Sequence, residues 1–198
     1  MTRSLVLIGL AAPFFCLRAS AQASDPATID SIRPAGILPA SAIVDSVFVD
    51  RTKQQAFVFA GDWGAYLMVR LGAVPIPEDL KIEVQSDTSR MVLRTRVGDL
   101  PLEARAALGP LLGLVPPETL IEGDIVLWPM GPRVARFRLD AARISGIPVP
   151  ERFLQEVMAG VGRQYPALTH TGRDLLIQIP EGAEIRLARG GVQLIGAP

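Results

Sequence analysis

Two side chains are nearly missing from this chain: it has one histidine, His170, and one cysteine, Cys16. A disulfide framework needs two cysteines, and nucleophilic or metal sites are usually built on cysteine or histidine clusters, so these routes to chemistry start with almost no material. Lysine is scarce too, with only Lys53 and Lys81, and the 20 basic residues balance 20 acidic ones. A chain without net positive charge is a poor match for the phosphate backbone, and no nucleic-acid partner is expected. Aromatic residues make up only 6% of the sequence. No dinucleotide or phosphate-loop spacing exists among the glycines, since neither Gly61-Asp62-Trp63-Gly64 nor Gly190-Gly191 has it. No cofactor is expected.

What the chain has in quantity is apolar surface, 49% of residues without counting glycine, more than an ordinary soluble domain carries. This excess must be enclosed, either in a packed core or around a cavity. Part of it lies at the N-terminus, where Arg3, the apolar stretch Leu5 to Leu17 and the small residues Ala19-Ser20-Ala21 have the layout of a cleaved export signal over residues 1–21. Phe15 precedes Cys16 where lipidation wants a small residue, so a plain signal peptide is expected and, with it, a periplasmic or secreted mature chain. Removing 21 of 198 residues leaves 177, and removing Arg3 and Arg18 leaves 18 bases against 20 acids. Residues 22–42, with Pro26, Pro34 and Pro39, read as a poorly ordered leader, and residues 43–198 as a single domain.

Within that domain a phrase occurs twice. Arg96-Val97-Gly98-Asp99-Leu100-Pro101-Leu102-Glu103-Ala104-Arg105 returns as Arg143-Ile144-Ser145-Gly146-Ile147-Pro148-Val149-Pro150-Glu151-Arg152, each after strand-like alternation and before an apolar, helix-like run. A repeat of this length is a supersecondary unit, here hairpin, turn and helix. In the first hairpin Leu80, Ile82 and Val84 alternate with charged neighbours, as do Met91, Leu93, Thr95 and Val97. In the second, pairing Ile125 with Phe137 gathers Ile121, Ile125, Leu127, Ala135, Phe137, Leu139 and Ala141 on one face and sets Asp124 opposite Arg138 on the other.

Gln55 to Phe59 reads as a strand leading into a helix capped by Asp62 and ending at Gly72. The helix from Glu151 carries a stripe of Phe153, Leu154, Val157, Met158 and Val161. The one from Leu102 to Leu114, with Leu108, Leu111 and Leu112, is apolar nearly all round, and Pro110 should kink or end it. Three short strands around Leu175–Ile179, Ile185–Leu187 and Val192–Leu194 close the chain as a meander. The expected fold is α+β: a curved antiparallel sheet of about seven or eight strands wrapped over about three helices.

Few residues offer catalysis. Ser145, Asp140 and His170 lack any nucleophile motif, and Glu122 with Asp124 reads as a salt-bridged strand face rather than a metal site. No catalytic residue and no metal ligand is expected. Arginines at 94, 96, 133, 136, 138 and 143 cluster on the two hairpins, where guanidinium groups suit a solvated sheet face or phosphate contact. Trp128-Pro129-Met130-Gly131-Pro132 reads as the tip of the second hairpin, beside Arg133 and Arg136, and is the candidate for headgroup or transient membrane contact.

From Arg133 onward, the succession of strand, Gly146-Ile147-Pro148-Val149-Pro150, amphipathic helix from Glu151, and Asp174-Leu175-Leu176-Ile177-Gln178-Ile179-Pro180-Glu181-Gly182 resembles the LmeA-type exported bacterial phospholipid-binding proteins. Those are related in architecture to the tubular lipid-binding domains. Phe57-Val58-Phe59 followed by Tyr66-Leu67 is similar to the family's opening strand and helix. The resemblance implies a curved sheet around helices, a groove for phospholipid acyl chains and no catalytic residue. The expected ligand-binding residues are Ile82, Val84, Leu93, Leu108, Leu111, Leu112, Ile125, Leu127, Phe137, Leu139, Phe153, Leu154, Val157 and Met158. The competing expectation is an envelope interaction module whose core is fully packed and whose charged strands bind a protein partner.

Overall fold

The period-two segments fold as strands, in antiparallel pairs throughout. A computed structural model of the chain describes residues 29–100, 105, 115–169 and 171–198. The first hairpin is β3 (Glu83–Ser86) against β4 (Met91–Arg96), with Val84 beside Leu93 and Glu83 beside Arg94. The second is β5 (Leu120–Pro129) against β6 (Val134–Ile144). Together with β1 (Ile29–Ser31), β7 (Ile147–Pro148) and β8 (Asp174–Gln178) they form a seven-stranded sheet in the order β1-β3-β4-β5-β6-β7, in which β8 also pairs with β6. A second sheet joins β2 (Gln55–Phe59), β10 (Gly191–Ile195) and β9 (Glu184–Ala188) in the order β2-β10-β9. Among the described residues three helices, α1 (Ile37–Phe48), α2 (Ala60–Leu71) and α3 (Glu151–Gln164), accompany the sheets in an α+β fold with no closed barrel. Among the described residues no helix is long and apolar enough to cross a membrane.

The core forms where α2 crosses the dry face of the large sheet. Trp63 is fully buried, with its ring 5.6 Å from that of Phe137 and 5.1 Å from that of Tyr66. Val58, Val192 and Leu194 of the small sheet join the same cluster. The two sheets meet at Ser86, whose carbonyl accepts from the Gly190 N–H (2.9 Å) while its hydroxyl donates to the Gly191 carbonyl (2.9 Å).

Several expectations need correction. Residues 29–42 are not a loose leader. They hold β1 and the first half of α1, a helix that forms because Ala40, Val44, Val47 and Phe48 recur at helical spacing and are buried. The prolines that look like breakers occupy helix starts: Pro34 begins a short 3-10 turn and Pro39 lies in the first turn of α1, where an N–H has no intrahelical partner to lose. Asp62 is not the cap of α2. The helix begins two residues earlier at Ala60, and it is Asp30, reaching across from β1, whose carboxylate accepts from the Gly61 N–H at 2.8 Å. The closing strands are not one meander, since β8 joins the large sheet and β9 and β10 the small one.

The register of the second hairpin also differs. Phe137 lies opposite Leu127 and Ile125 opposite Leu139, a slip of two residues from the expected pairing. An even slip keeps every side chain on its own face, so alternation alone could not detect it. Beyond that point Asp124 pairs with Ala141, leaving Asp140 as an extra residue on β6. This bulge reverses the parity of the strand and turns Ala142 and Ile144, instead of Ala141, toward the dry side.

Both copies of the repeated phrase dock on the same end of β5. Val97, in a 3-10 turn, donates to the Thr119 carbonyl (3.0 Å), and Ser145 donates to that of Leu120 (2.8 Å). The second copy turns tightly through left-handed Ser145 (φ 51°) and Gly146 (φ 78°) into β7. The run expected as the helix Leu102–Leu114 lies outside the described residues, apart from Arg105.

Candidate apolar ligand site

The stripe on α3 decides where this helix lies. Phe153, Leu154, Val157 and Met158 recur at helical spacing and face the dry side of β5 and β6, while Glu151, Arg152, Gln155 and Glu156 face water. Only Leu154 of the helix is fully buried. Phe153, Val157 and Met158 are half-buried and border open space beside the sheet. Between α3 and the sheet lies a cavity of about 270 Å³ lined by Ile121, Gly123, Leu139, Ala142, Ile144, Phe153, Leu154, Val157 and Met158, among others, with Glu122 as the one charged residue at its wall among those described. A second, of about 310 Å³, continues between α2, α3 and the sheet and is lined by Leu67, Met68, Leu71, Ile82, Leu93, Ile125, Phe137, Leu139 and Met158, among others. Leu139 and Met158 belong to both walls, so the two cavities adjoin. Gly123 makes room at the junction: a side chain there would begin 3.0 Å from the Leu139 Cδ1.

Two contacts hold α3 in place. Near its C-terminal end Gly162 meets the turn at Gly172, whose φ of +69° and closeness to the Met158 carbonyl admit no side chain. At its N-terminus Glu151 pairs with Arg173. Arg173 is buried beside the larger cavity, and its Nε and Nη2 donate to the carbonyls of Leu139 (2.9 Å) and Asp140 (2.7 Å). It therefore satisfies the backbone that the bulge leaves unpaired and ties that bulge to the helix. Hydrogen bonds from Gln155 and then Arg173 hold the Glu151 carboxyl below its ordinary range.

Most of the expected binding residues come together here. Ile82, Leu93, Ile125, Phe137, Leu139 and Met158 line the larger cavity, and Phe153, Leu154 and Val157 the smaller. Two do not. Val84 is fully buried against Gly64 of α2, and Leu127 lies farther along β5, where it borders a separate, partly polar crevice beside β9. Leu108, Leu111 and Leu112 lie outside the described residues. The expected site omits Leu67, Met68 and Leu71 of α2, and Arg173, which no periodicity marks.

The opposite face of the large sheet is charged. Arg143 donates to both carboxylate oxygens of Asp124 (2.8 and 2.9 Å) and to Glu122 (3.2 Å), Arg94 donates to Glu122 (2.7 Å), and Arg90 reaches Asp124 (3.2 Å). The Arg94 hydrogen bond, offset in part by burial and reinforced by Arg143, holds the Glu122 carboxyl below its ordinary range. Asp124 is thus buried under arginines, and its partners are Arg143 and Arg90. The expected opposition to Arg138 is overturned by the register slip, and Arg138 instead faces Asp174 at 3.9 Å.

Of the headgroup candidates, Trp128 and Met130 are half exposed, at 51% and 48%. The turn is shorter than expected, and Trp128 lies in β5 on the outer face, with the Arg136 guanidinium 5.9 Å from its ring centre. Arg133 pairs with Glu181.

Among the described residues the polar candidates for catalysis do not meet at the cavities. Ser145 sits in the repeat turn and Asp140 is exposed at the bulge, while His170 lies outside the described residues. Among the described residues no group of three or more histidine, cysteine, aspartate or glutamate side chains could hold a metal ion. Comparison with known proteins finds no matching family model, curated protein or solved structure. The site stands on its own geometry.

Proposed function

We propose that this protein is an exported binder or carrier of an apolar ligand, a phospholipid by preference, whose acyl chain lies in the adjoining cavities beneath α3. The observation that carries the reading is the pair of cavities, about 310 and 270 Å³, joined at Leu139 and Met158 and walled almost entirely by aliphatic side chains. Pockets that enclose small ligands span about 300–1,000 Å³. A sixteen-carbon chain withdrawn from water at ~0.8 kcal/mol per methylene gains about 12 kcal/mol before the costs of binding, so affinity needs no special polar group. The resemblance of the segment from Arg133 onward to LmeA-type lipid-binding proteins and the export-like N-terminus support the same reading. The alternative module would bind through its charged strands, but the charges of Arg90, Arg94 and Arg143 are already answered by Glu122 and Asp124.

The test is mass spectrometry of lipid extracted from natively purified protein, together with uptake of a fluorescent phospholipid. Co-purifying lipid and saturable uptake are expected. Met158→Glu, which puts a carboxylate at the junction, and Gly123→Leu, which fills it, should each lower uptake at least tenfold while circular dichroism stays native. Lipid-free extracts together with no uptake would favour the packed interaction module.

A further inference from the structure

The outer face of the large sheet changes character along β6. Toward the Ile144 end its arginines are neutralised by Glu122 and Asp124. Toward the hairpin end the composition is aromatic, aliphatic and cationic. Trp128, Arg136 and Leu176 form one row across β5, β6 and β8, because Arg136 is the cross-strand partner of both neighbours. Their side chains share the outer face, since the residues that alternate with them, Leu127, Phe137 and Leu175, point inward. Trp128 is 51% exposed and Leu176 38%, and Met130 extends the patch into the turn. Among the described residues no carboxylate pairs with Arg136, the nearby Asp174 being taken by Arg138, and its Nε is buried without a hydrogen-bond partner. Its guanidinium lies over the Trp128 ring instead.

We infer that this row, Trp128, Arg136 and Leu176 with Met130 at its edge, is a docking surface for an anionic lipid bilayer. Each side chain has the chemistry of one layer of the interface. Indole sits at the headgroup level with its ring among the upper methylenes, leucine and methionine enter the acyl boundary, and a guanidinium without a carboxylate partner can meet a phosphate oxygen through its terminal amino groups. A protein partner of ordinary affinity would bury a larger patch built round a packed anchor, whereas a bilayer accepts a shallow one whose cation meets a surface of negative charge. The inference does not depend on the cavities, which lie on the other face of the same strands.

The experiment uses the full chain with vesicles of phosphatidylcholine alone or doped with phosphatidylglycerol. Trp63 is buried and Trp128 exposed, so emission reports chiefly on the proposed surface. Vesicles with phosphatidylglycerol should sediment the protein and shift its emission to the blue, those of phosphatidylcholine alone should do so weakly, and added salt should reverse both effects. Arg136→Gln should weaken binding about fivefold, the contribution of one arginine near a charged leaflet. Trp128→Glu should abolish it. Phe59→Glu, at an exposed aromatic of the small sheet, should leave it unchanged. Phospholipid delivered from cyclodextrin should still be taken up by Trp128→Glu, which separates failure of docking from failure of the carrier reading. Absence of binding to phosphatidylglycerol vesicles, or binding indifferent to Trp128→Glu, would overturn the assignment.

Discussion

Gly172 is the residue with least freedom to change. A β-carbon there would stand 1.8 Å from the Met158 carbonyl, and the backbone already holds a φ of +69°. Alanine would have to push α3 off the sheet or adopt another backbone shape, and either removes contacts made by the helix. Gly172→Ala is expected to lower stability by about 3 kcal/mol in urea unfolding. A loss below about 0.5 kcal/mol would show that α3 is not pinned at this turn. Arg173, its neighbour, illustrates a different kind of residue. It is a buried cation justified by two carbonyls and one carboxylate, and none of these partners is close in sequence.

At the scale of the element, the outer faces of β4, β5 and β6 act together through Glu122 and Asp124. The Glu122 carboxyl is held below its ordinary range chiefly by Arg94, so the folded state binds a proton there less readily than the unfolded chain. Its contribution is fully present above the unfolded carboxylate value, about 4.3, and is lost as pH falls from there through the lower folded value. Glu122→Gln should therefore flatten the fall of stability below about pH 4.5 and leave a shallower acid limb than in the unmodified chain. Denaturant titrations at several pH values check this. Limbs of equal steepness in both proteins would show that the network does not favour the ionised form. The helix α3 is the counterpart on the dry side: its stripe is amphipathic like that of a packed helix, but it covers cavities where a core would be.

At the scale of the molecule, the seven-stranded and three-stranded sheets share a corner at Ser86. Its hydroxyl links it to Gly191, 105 residues away in sequence. Ser86→Ala leaves the Gly191 carbonyl without that donor in a fully buried site, at a cost of about 1–3 kcal/mol. Because α2 and Val58, Val192 and Leu194 pack into the same core as the large sheet, both sheets should still unfold in one transition. Hydrogen exchange resolved for β4 and β10 would read this. Separate transitions for the two strands would show that the sheets form independent cores.

The sequence by itself determined what local physics controls. Alternation placed the two hairpins and their dry faces, the 3.6-residue stripe placed α3 and its wet side, and Gly72 ended α2 in the left-handed conformation that glycine favours. It could not distinguish pairings of β5 and β6 that differ by two residues, because such pairings present the same faces, nor foresee the bulge at Asp140, whose carbonyls are satisfied by Arg173 from a distant turn. It misread residues 29–42 because proline signals a break wherever it occurs, while its cost depends on whether the missing N–H had a partner. The candidate site divides in the same way. Ile82, Leu93, Ile125, Phe137, Leu139 and the α3 stripe were legible as apolar faces. That Val84 and Leu127 belong elsewhere, and that space remains beside Gly123, Leu139 and Met158, was decided only by tertiary packing, because a side chain's polarity says that it will leave water but not whether protein atoms fill the volume it faces.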